Sequence, residues 1–296
     1  MHGDGIRSLL FAPGDNDKLI GKALSSPADA VILDLEDAVP PERKDMARQM
    51  VADALTNVPR AHRSVFVRVN AFDTGSVADD LAIVMRGAPW GIVLPKCHGP
   101  TDLAKLDCYL DALEAREDIE RGSTKILAIV TETAAATLGL GQWQGFSSPR
   151  LWGVMWGSED LAASLGATGN RNADGRYTFP YQAARSNSLY LAKALGVAAV
   201  DAVWTDIRDT EGLEGEAIEG RRDGFSVKAA IHPGQLETIN RIFSPTETQI
   251  QWAEKVVQIL DDRAIAQLDG RMIDLAHKRI AEGLIRRSKA LGSQAS

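Results

Sequence analysis

The sequence predicts a (β/α)8 barrel that carries a C-terminal helical extension. Eight short runs rich in β-branched residues alternate with helical stretches over roughly 230 residues, the order expected of a barrel of parallel strands. Several runs are apolar without alternation, as in Val31-Ile32-Leu33 and Ile126-Leu127-Ala128-Ile129-Val130, which suits strands buried on both faces. No Gly-rich phosphate fingerprint follows the first run. Phe11-Ala12-Pro13-Gly14 is not one, and Gly139-Leu-Gly141 lacks the third glycine and does not follow a strand. This disfavours the competing doubly wound sheet.

The predicted strands are 8–11, 30–33, 65–69, 91–94, 126–130, 151–155, 199–204 and 227–231. Helices are expected over 42–55, 101–120 and 181–195, started by Pro40-Pro41-Glu42 and Gly99-Pro100-Thr101-Asp102, with Gly196 ending the last. After the eighth strand come an amphipathic helix over 246–260, a Gly-containing turn at Asp269-Gly270 and a final helix over 274–291. Barrel closure does not need these residues. The division is therefore a catalytic barrel over 1–243 and an extension over 244–296 that packs outside, covers the site or reaches another subunit. Trp152, Trp156 and Trp204 read as core or rim packing.

The chain has 296 residues, 45% hydrophobic and 25% charged, ample for a large core. Its formal charge of −7 argues against a nucleic-acid surface and requires a local basic patch for any anionic substrate. Two cysteines, Cys97 and Cys108, do not make a disulfide scaffold; reduced thiols in the cytoplasm are the expectation. Residues 1–10 lack the pattern of a signal peptide, and no apolar run approaches the roughly 20 residues of a membrane span.

Catalytic groups of such barrels lie at the C-terminal ends of strands. Those positions give Pro13-Gly14-Asp15, Asp34 with Glu36 and Asp37, Arg68 with Asn70, Lys96, Glu132, Glu159 with Asp160, Asp206 with Asp209, and His232. Several carboxylates around one mouth suit a hard cation, while Arg68 and Lys96 suit an anionic, metal-chelating substrate. Glu132 and Asp160 end neighbouring strands and would give Mg²⁺ two carboxylates and an open face. Zinc fits less well: His2, His62, His98, His232 and His277 include no pair at helix-face spacing, and there is no CxxC. Plainer readings compete. Asp160 and Glu132 could cap the following helices, 34–37 could be a solvated acidic turn, and Arg68 could be a structural ion-pair residue. His232 reads as closing the barrel bottom or capping a helix.

In order and spacing, the motifs resemble the citrate lyase β-subunit-like group of the HpcH/HpaI aldolase superfamily. They are Arg7-Ser-Leu-Leu-Phe-Ala-Pro-Gly14, Ala30-Val-Ile-Leu-Asp-Leu-Glu-Asp-Ala-Val39, Val67-Arg-Val-Asn70, Leu94-Pro-Lys96, Thr131-Glu-Thr133, Gly157-Ser-Glu-Asp-Leu161, Ile231-His-Pro-Gly-Gln235 and Gly270-Arg-Met-Ile-Asp274. The resemblance implies a Mg²⁺-dependent, or Mn²⁺-dependent, carbon–carbon lyase. Its substrate would be a short 3-hydroxyacyl-CoA thioester such as malyl-CoA, citramalyl-CoA or citryl-CoA, coenzyme A being part of the substrate. By resemblance Glu132 and Asp160 are metal ligands and Arg68 meets the thioester or enolate oxygen. Glu36 and Asp37 form the acidic turn beside them. Phe11, Pro13, Gly14 and Lys22 lie near the CoA. Asp274 is the acid/base, acting from a neighbouring subunit, so a homotrimer or a hexamer is implied. Two departures stand out. Asn16 occupies a position where the family often has an arginine, and Ala134-Ala135-Ala136 replaces bulkier residues. Thioester hydrolysis, a malate-synthase-like reaction, a CoA-free pyruvate aldolase and a partner-dependent subunit acting on carrier-bound citryl groups are the rivals.

Overall fold

The computed structural model describes residues 5–58 and 64–292. His2 and His62, and the start of the N-terminal segment read against a signal peptide, lie outside them. Eight parallel strands close a barrel in chain order: β1 (Ser8–Pro13), β2 (Ala30–Asp34), β3 (Ser64–Arg68), β4 (Gly91–Leu94), β5 (Lys125–Ile129), β6 (Leu151–Met155), β7 (Ala198–Asp201) and β8 (Val227–Ala230), with β1 paired to both β2 and β8. The helices on the outside are α1 (Asp17–Leu24), α2 (Lys44–Thr56), α3 (Val77–Val84), α4 (Pro100–Arg116), α5 (Ala134–Leu138), α6 (Ser158–Leu165), α7 (Phe179–Leu195), α8 (Thr210–Asp223) and α9 (Leu236–Ile242). Every expected strand is present, within one to three residues at each end.

Alternate residues of each strand enter two cores. Leu9, Ile32, Phe66, Val93, Leu127 and Val200 fill the barrel, whereas Leu10, Val31, Leu33, Val65 and Val67 pack beneath the helices. This is why the strands read as unbroken apolar runs. Phe66, Trp90 and Trp152 pack ring on ring inside, with centroids 4.9 to 5.8 Å apart. The same period-two alternation carries the inward face from Ile32 to Asp34 and from Phe66 to Arg68. These two are register partners at the rim.

The extension is α10 (Glu247–Ile259), an antiparallel pair β9 (Ile265–Leu268) and β10 (Arg271–Asp274), and α11 (Leu275–Gly292). The hairpin corrects the expected plain turn. Asp269 and Gly270 both take positive φ, 50° and 75°, as a two-residue hairpin loop requires. Ala253, Val256, Leu260, Ile273 and Ala281 give the extension a small core of its own. Arg287 donates to the carbonyls of Phe243 and Ser226 at 3.0 and 2.6 Å, tying α11 to the barrel end where β8 begins.

Candidate active site

The site grows from the inward-facing rim pair. Arg68 donates from Nε and Nη2 to the two oxygens of Asp34, both at 2.7 Å, a bidentate geometry that fixes the guanidinium plane. Asp34 is 1% exposed and also accepts from the backbone N–H groups of Glu36 and Ala38. One carboxylate therefore sets both the arginine and the acidic turn. Lys44 Nζ secures the turn from outside, donating to the carbonyls of Leu35 and Glu36 at 2.6 and 2.7 Å. The Phe11 ring lies 5.0 Å from the guanidinium carbon and covers one face of it.

Glu36 is buried between two cations, with Oε2 2.9 Å from Arg68 Nη1 and Oε1 2.5 Å from Lys96 Nζ. Burial nevertheless pushes its carboxyl up to about 7, against the pull of Arg68 and Lys96. Glu36 Oε2 meets Arg68 as an ion pair without hydrogen-bonding alignment. Asp37 is more exposed, 3.6 Å from Arg68 Nη1 and 3.7 Å from Lys96 Nζ.

Glu132 follows β5 and is 3% exposed. Its Oε2 accepts the Lys96 backbone N–H at 2.5 Å. Burial, then Glu36 and Asp160, raise its carboxyl to about 8. For this buried carboxyl, crowded by two others, the positive charge of Arg68 offsets the rise only in part. Asp160 stands in the first turn of α6, its Oδ1 3.2 Å from Lys96 Nζ. Gly157 makes room for Glu132, since a Cβ there would fall 2.7 Å from Glu132 Cγ. Trp156, beside it, donates from Nε1 to the buried Asp201 at 2.8 Å, which Arg185 and Lys228 neutralise.

Arg68, Glu132 and Asp160 line one cavity of about 440 Å³ together with Phe11, Pro13 and Trp156. A larger cavity of about 1000 Å³ lies beside α7 and α8, walled by Arg171, Tyr177, Arg185 and Glu216. Of the rim positions read from the sequence Asp209 lines it, but Arg68, Lys96, Glu132 and Asp160 do not, so its size does not make it the site. The residues present fit Mg²⁺. The donors are all oxygen, and the two carboxylates follow adjacent strands, Glu132 after β5 and Asp160 in the first turn of α6 after β6. Among the described residues no group of three or more His, Cys, Asp or Glu side chains is placed to hold a metal ion.

The remaining expected residues fall as follows. Gly14 lies behind the wall, its N–H on Asp34 O at 2.8 Å, where a side chain would strike that oxygen. Lys22 is exposed on α1, and Asn16 caps that helix by accepting from Leu19 N. Ala134–Leu138 form α5, capped by Thr133 rather than by Glu132. His232 follows β8 at the mouth, not the bottom, and its Nδ1 accepts from Gly234 N; of its two readings the cap is correct. Asp274 does not line the cavity of its own chain. It caps α11, with Oδ1 accepting from Ala276 N and lying 2.7 Å from His277 Nδ1. The hydrogen bond from His277 holds its carboxyl below the ordinary value. Asp34 and Lys96, read as rim charges only, turn out to organise the site.

The HpcH/HpaI aldolase/citrate lyase family pattern matches residues 7–233. The chain belongs to this family. It is therefore an enzyme of the lyase class that the motifs imply. A citrate lyase subunit beta-like protein from Mycobacterium tuberculosis is 34% identical over 280 residues, 94% of each chain. A (3S)-malyl-CoA thioesterase from Cereibacter sphaeroides is 32% identical over 97% of this chain and 96% of its own. The structure of protein CitE from Mycobacterium tuberculosis in complex with magnesium, acetoacetate and coenzyme A superposes with a TM-score of 0.79. It is 32% identical and covers 98% of this chain and 100% of that one.

Proposed function

We propose that this family member is a Mg²⁺-dependent lyase that cleaves, or forms, a carbon–carbon bond in a short 3-hydroxyacyl-CoA thioester, in the manner of malyl-CoA, citramalyl-CoA or citryl-CoA. One observation carries the reading. A guanidinium fixed in plane by Asp34 shares a cavity with two carboxylates, Glu132 after β5 and Asp160 in the first turn of α6, the former buried and crowded by its neighbours. A relative crystallised with magnesium, a keto acid and coenzyme A supports it.

Glu132 and Asp160 are the proposed Mg²⁺ ligands, with Mn²⁺ as a substitute. A divalent cation held there would polarise the C3 oxygen of the substrate and the keto group that emerges. Arg68 stabilises the thioester enolate left when the C2–C3 bond breaks, because the charge develops next to a donor that needs no reorganisation. Glu36 and Asp37 keep Arg68 and Lys96 in place. Phe11 and Pro13 form the wall near the thioester with Gly14 behind them, and Lys22 lies outside it toward the CoA. The extension, residues 244–296, brings Asp274 to a neighbour's cavity in a trimer or a hexamer, where it protonates the enolate carbon. Among the described residues no helix is long and apolar enough to cross a membrane, in keeping with the cytoplasmic site of action we propose.

A second reading is thioester hydrolysis, favoured by the likeness to a (3S)-malyl-CoA thioesterase. Purified chain is incubated with malyl-, citramalyl-, methylmalyl- and citryl-CoA, with and without Mg²⁺, and the products are weighed by mass spectrometry. Acyl-CoA plus keto acid is the expected result, lost in excess EDTA and in Glu132→Ala or Asp160→Ala. Free CoA instead establishes the hydrolase, and full turnover in EDTA overturns the metal reading. Activity only on carrier-bound citryl groups would make the chain a partner-dependent subunit.

A further inference from the structure

We propose that Lys96 is a built-in counter-cation of the metal-free site, which a divalent ion must displace from Asp160 in order to bind. The inference rests on the reading of Glu132 and Asp160 as metal ligands. Lys96 takes a positive φ of 48°, in the left-handed region that residues with a side chain rarely occupy. A backbone held there persists only when its surroundings fix it from several directions. Here they do. The Lys96 backbone N–H holds Glu132 Oε2 at 2.5 Å. Its ammonium lies 2.5 Å from Glu36 Oε1, 3.2 Å from Asp160 Oδ1 and 3.7 Å from Asp37 Oδ1. One residue thus grips both proposed ligands, Glu132 through the main chain and Asp160 through the side chain.

These two grips differ in what a metal does to them. The N–H on Glu132 leaves the other carboxylate oxygen available, so it orients that ligand without blocking it. The ammonium occupies Asp160 Oδ1 itself and repels a dication brought to the same oxygen. Arg68 cannot take part in this exchange, because Asp34 holds it by two hydrogen bonds. Lys96 has somewhere to retreat. Its contact with Glu36 is shorter than that with Asp160, and Asp37 stands beside it. Metal entry therefore draws the ammonium toward Glu36 and Asp37 rather than out of the site. The arrangement keeps the carboxylates ordered before metal arrives, and it weakens metal binding in return.

The test is a calorimetric titration of metal-stripped protein with MgCl₂ alone, at fixed pH and without substrate. Wild type is compared with Lys96→Met, Lys96→Gly and Glu132→Gln, each checked for folding by thermal melting. A retained ammonium about 6 Å from a dication in a water-like dielectric weakens its binding by about tenfold. Lys96→Met should therefore bind Mg²⁺ about tenfold more tightly than wild type. Lys96→Gly should do the same, since glycine keeps the N–H on Glu132 and suits the positive φ; it carries the test if the methionine variant does not fold. Equal or weaker Mg²⁺ binding in the folded variants, with Glu132→Gln impaired, overturns the counter-cation and leaves the metal site standing. No Mg²⁺ binding by any variant, or Glu132→Gln binding like wild type, overturns the metal site and the inference with it.

Discussion

Gly157→Ala probes the packing on which the candidate metal site depends. The added methyl would lie 2.7 Å from Glu132 Cγ and 3.1 Å from Oε1. Carbon atoms rest about 3.5–4.0 Å apart, so one partner must yield by about 1 Å. The backbone supplies no competing strain, because Gly157 has φ −124° and ψ 122°, open to any residue. Neither partner can move freely. Glu132 is buried and held by the Lys96 N–H, and Gly157 follows Trp156, whose indole is bonded to Asp201 beneath the outer helices. Overpacking of this kind costs about 1–3 kcal/mol of stability. A misplacement of about 1 Å in a catalytic group costs about 100-fold in rate. The expected result is a fold retained with a Tm lower by a few degrees, Mg²⁺ binding about tenfold weaker, and kcat/KM down about 100-fold. Calorimetry and product analysis by mass spectrometry measure the last two. Mg²⁺ affinity and kcat/KM both within twofold of wild type would refute the argument that Gly157 leaves room for a functional Glu132.

Other perturbations separate the functional from the structural groups. Arg68→Lys keeps the charge but cannot reproduce two parallel donors to Asp34, so kcat/KM should fall by about 10- to 100-fold at the loss of one charge-assisted hydrogen bond; kinetics near wild type would make Arg68 structural. Glu114 is fully buried, and despite that burial the hydrogen bonds from Arg150, Thr124 and Gly122 hold its carboxyl down to about 2 from an ordinary 4.5. A depressed carboxylate contributes stability that is complete above its unfolded pKa and vanishes as pH falls through the folded one. About 3 kcal/mol should thus be lost between about pH 5 and pH 2, and Glu114→Gln should show a flatter fall of Tm over that window than wild type. Asp274 in trans is tested by mixing Asp274→Ala with Glu132→Ala chains under subunit exchange. Activity should return, and no recovery with exchange confirmed would confine Asp274 to its helix cap.

Which features were legible in the sequence follows from the range of the forces that fix them. The strands were readable because burial on both faces leaves a local mark, an unbroken apolar run such as Val31-Ile32-Leu33. Glu132, Asp160 and Arg68 were readable because strand ends converge in a closed barrel whatever the sequence between them. The hairpin between α10 and α11 was readable in principle from Asp269-Gly270, flanked by Ile265 and Leu268 on one side and Met272 and Ile273 on the other. The extension was expected to be helical, and the glycine was taken as a turn alone.

Asp34 and Lys96 show where local reading stops. Asp34 opens the acidic turn 34–37, two residues before the more conspicuous Glu36-Asp37 pair, and nothing local marks it as the partner of an arginine 34 positions away. Its role follows from strand register, which pairs Asp34 with Arg68 across β2 and β3. Both continue the inward parity of Ile32 and Phe66. Lys96 depends on a left-handed backbone that its side chain disfavours, and the carboxylates of Glu132, Glu36 and Asp160 hold the residue there. Sequence spacing reports which charges reach the mouth of a barrel. It does not report which charge satisfies which, because that is decided by pairs of residues from different strands, each buried deeply enough that leaving it unpaired would be costly. In this chain that pairing is what separates Arg68, fixed on Asp34 by two hydrogen bonds, from Lys96, whose ammonium is shared among Glu36, Asp37 and Asp160.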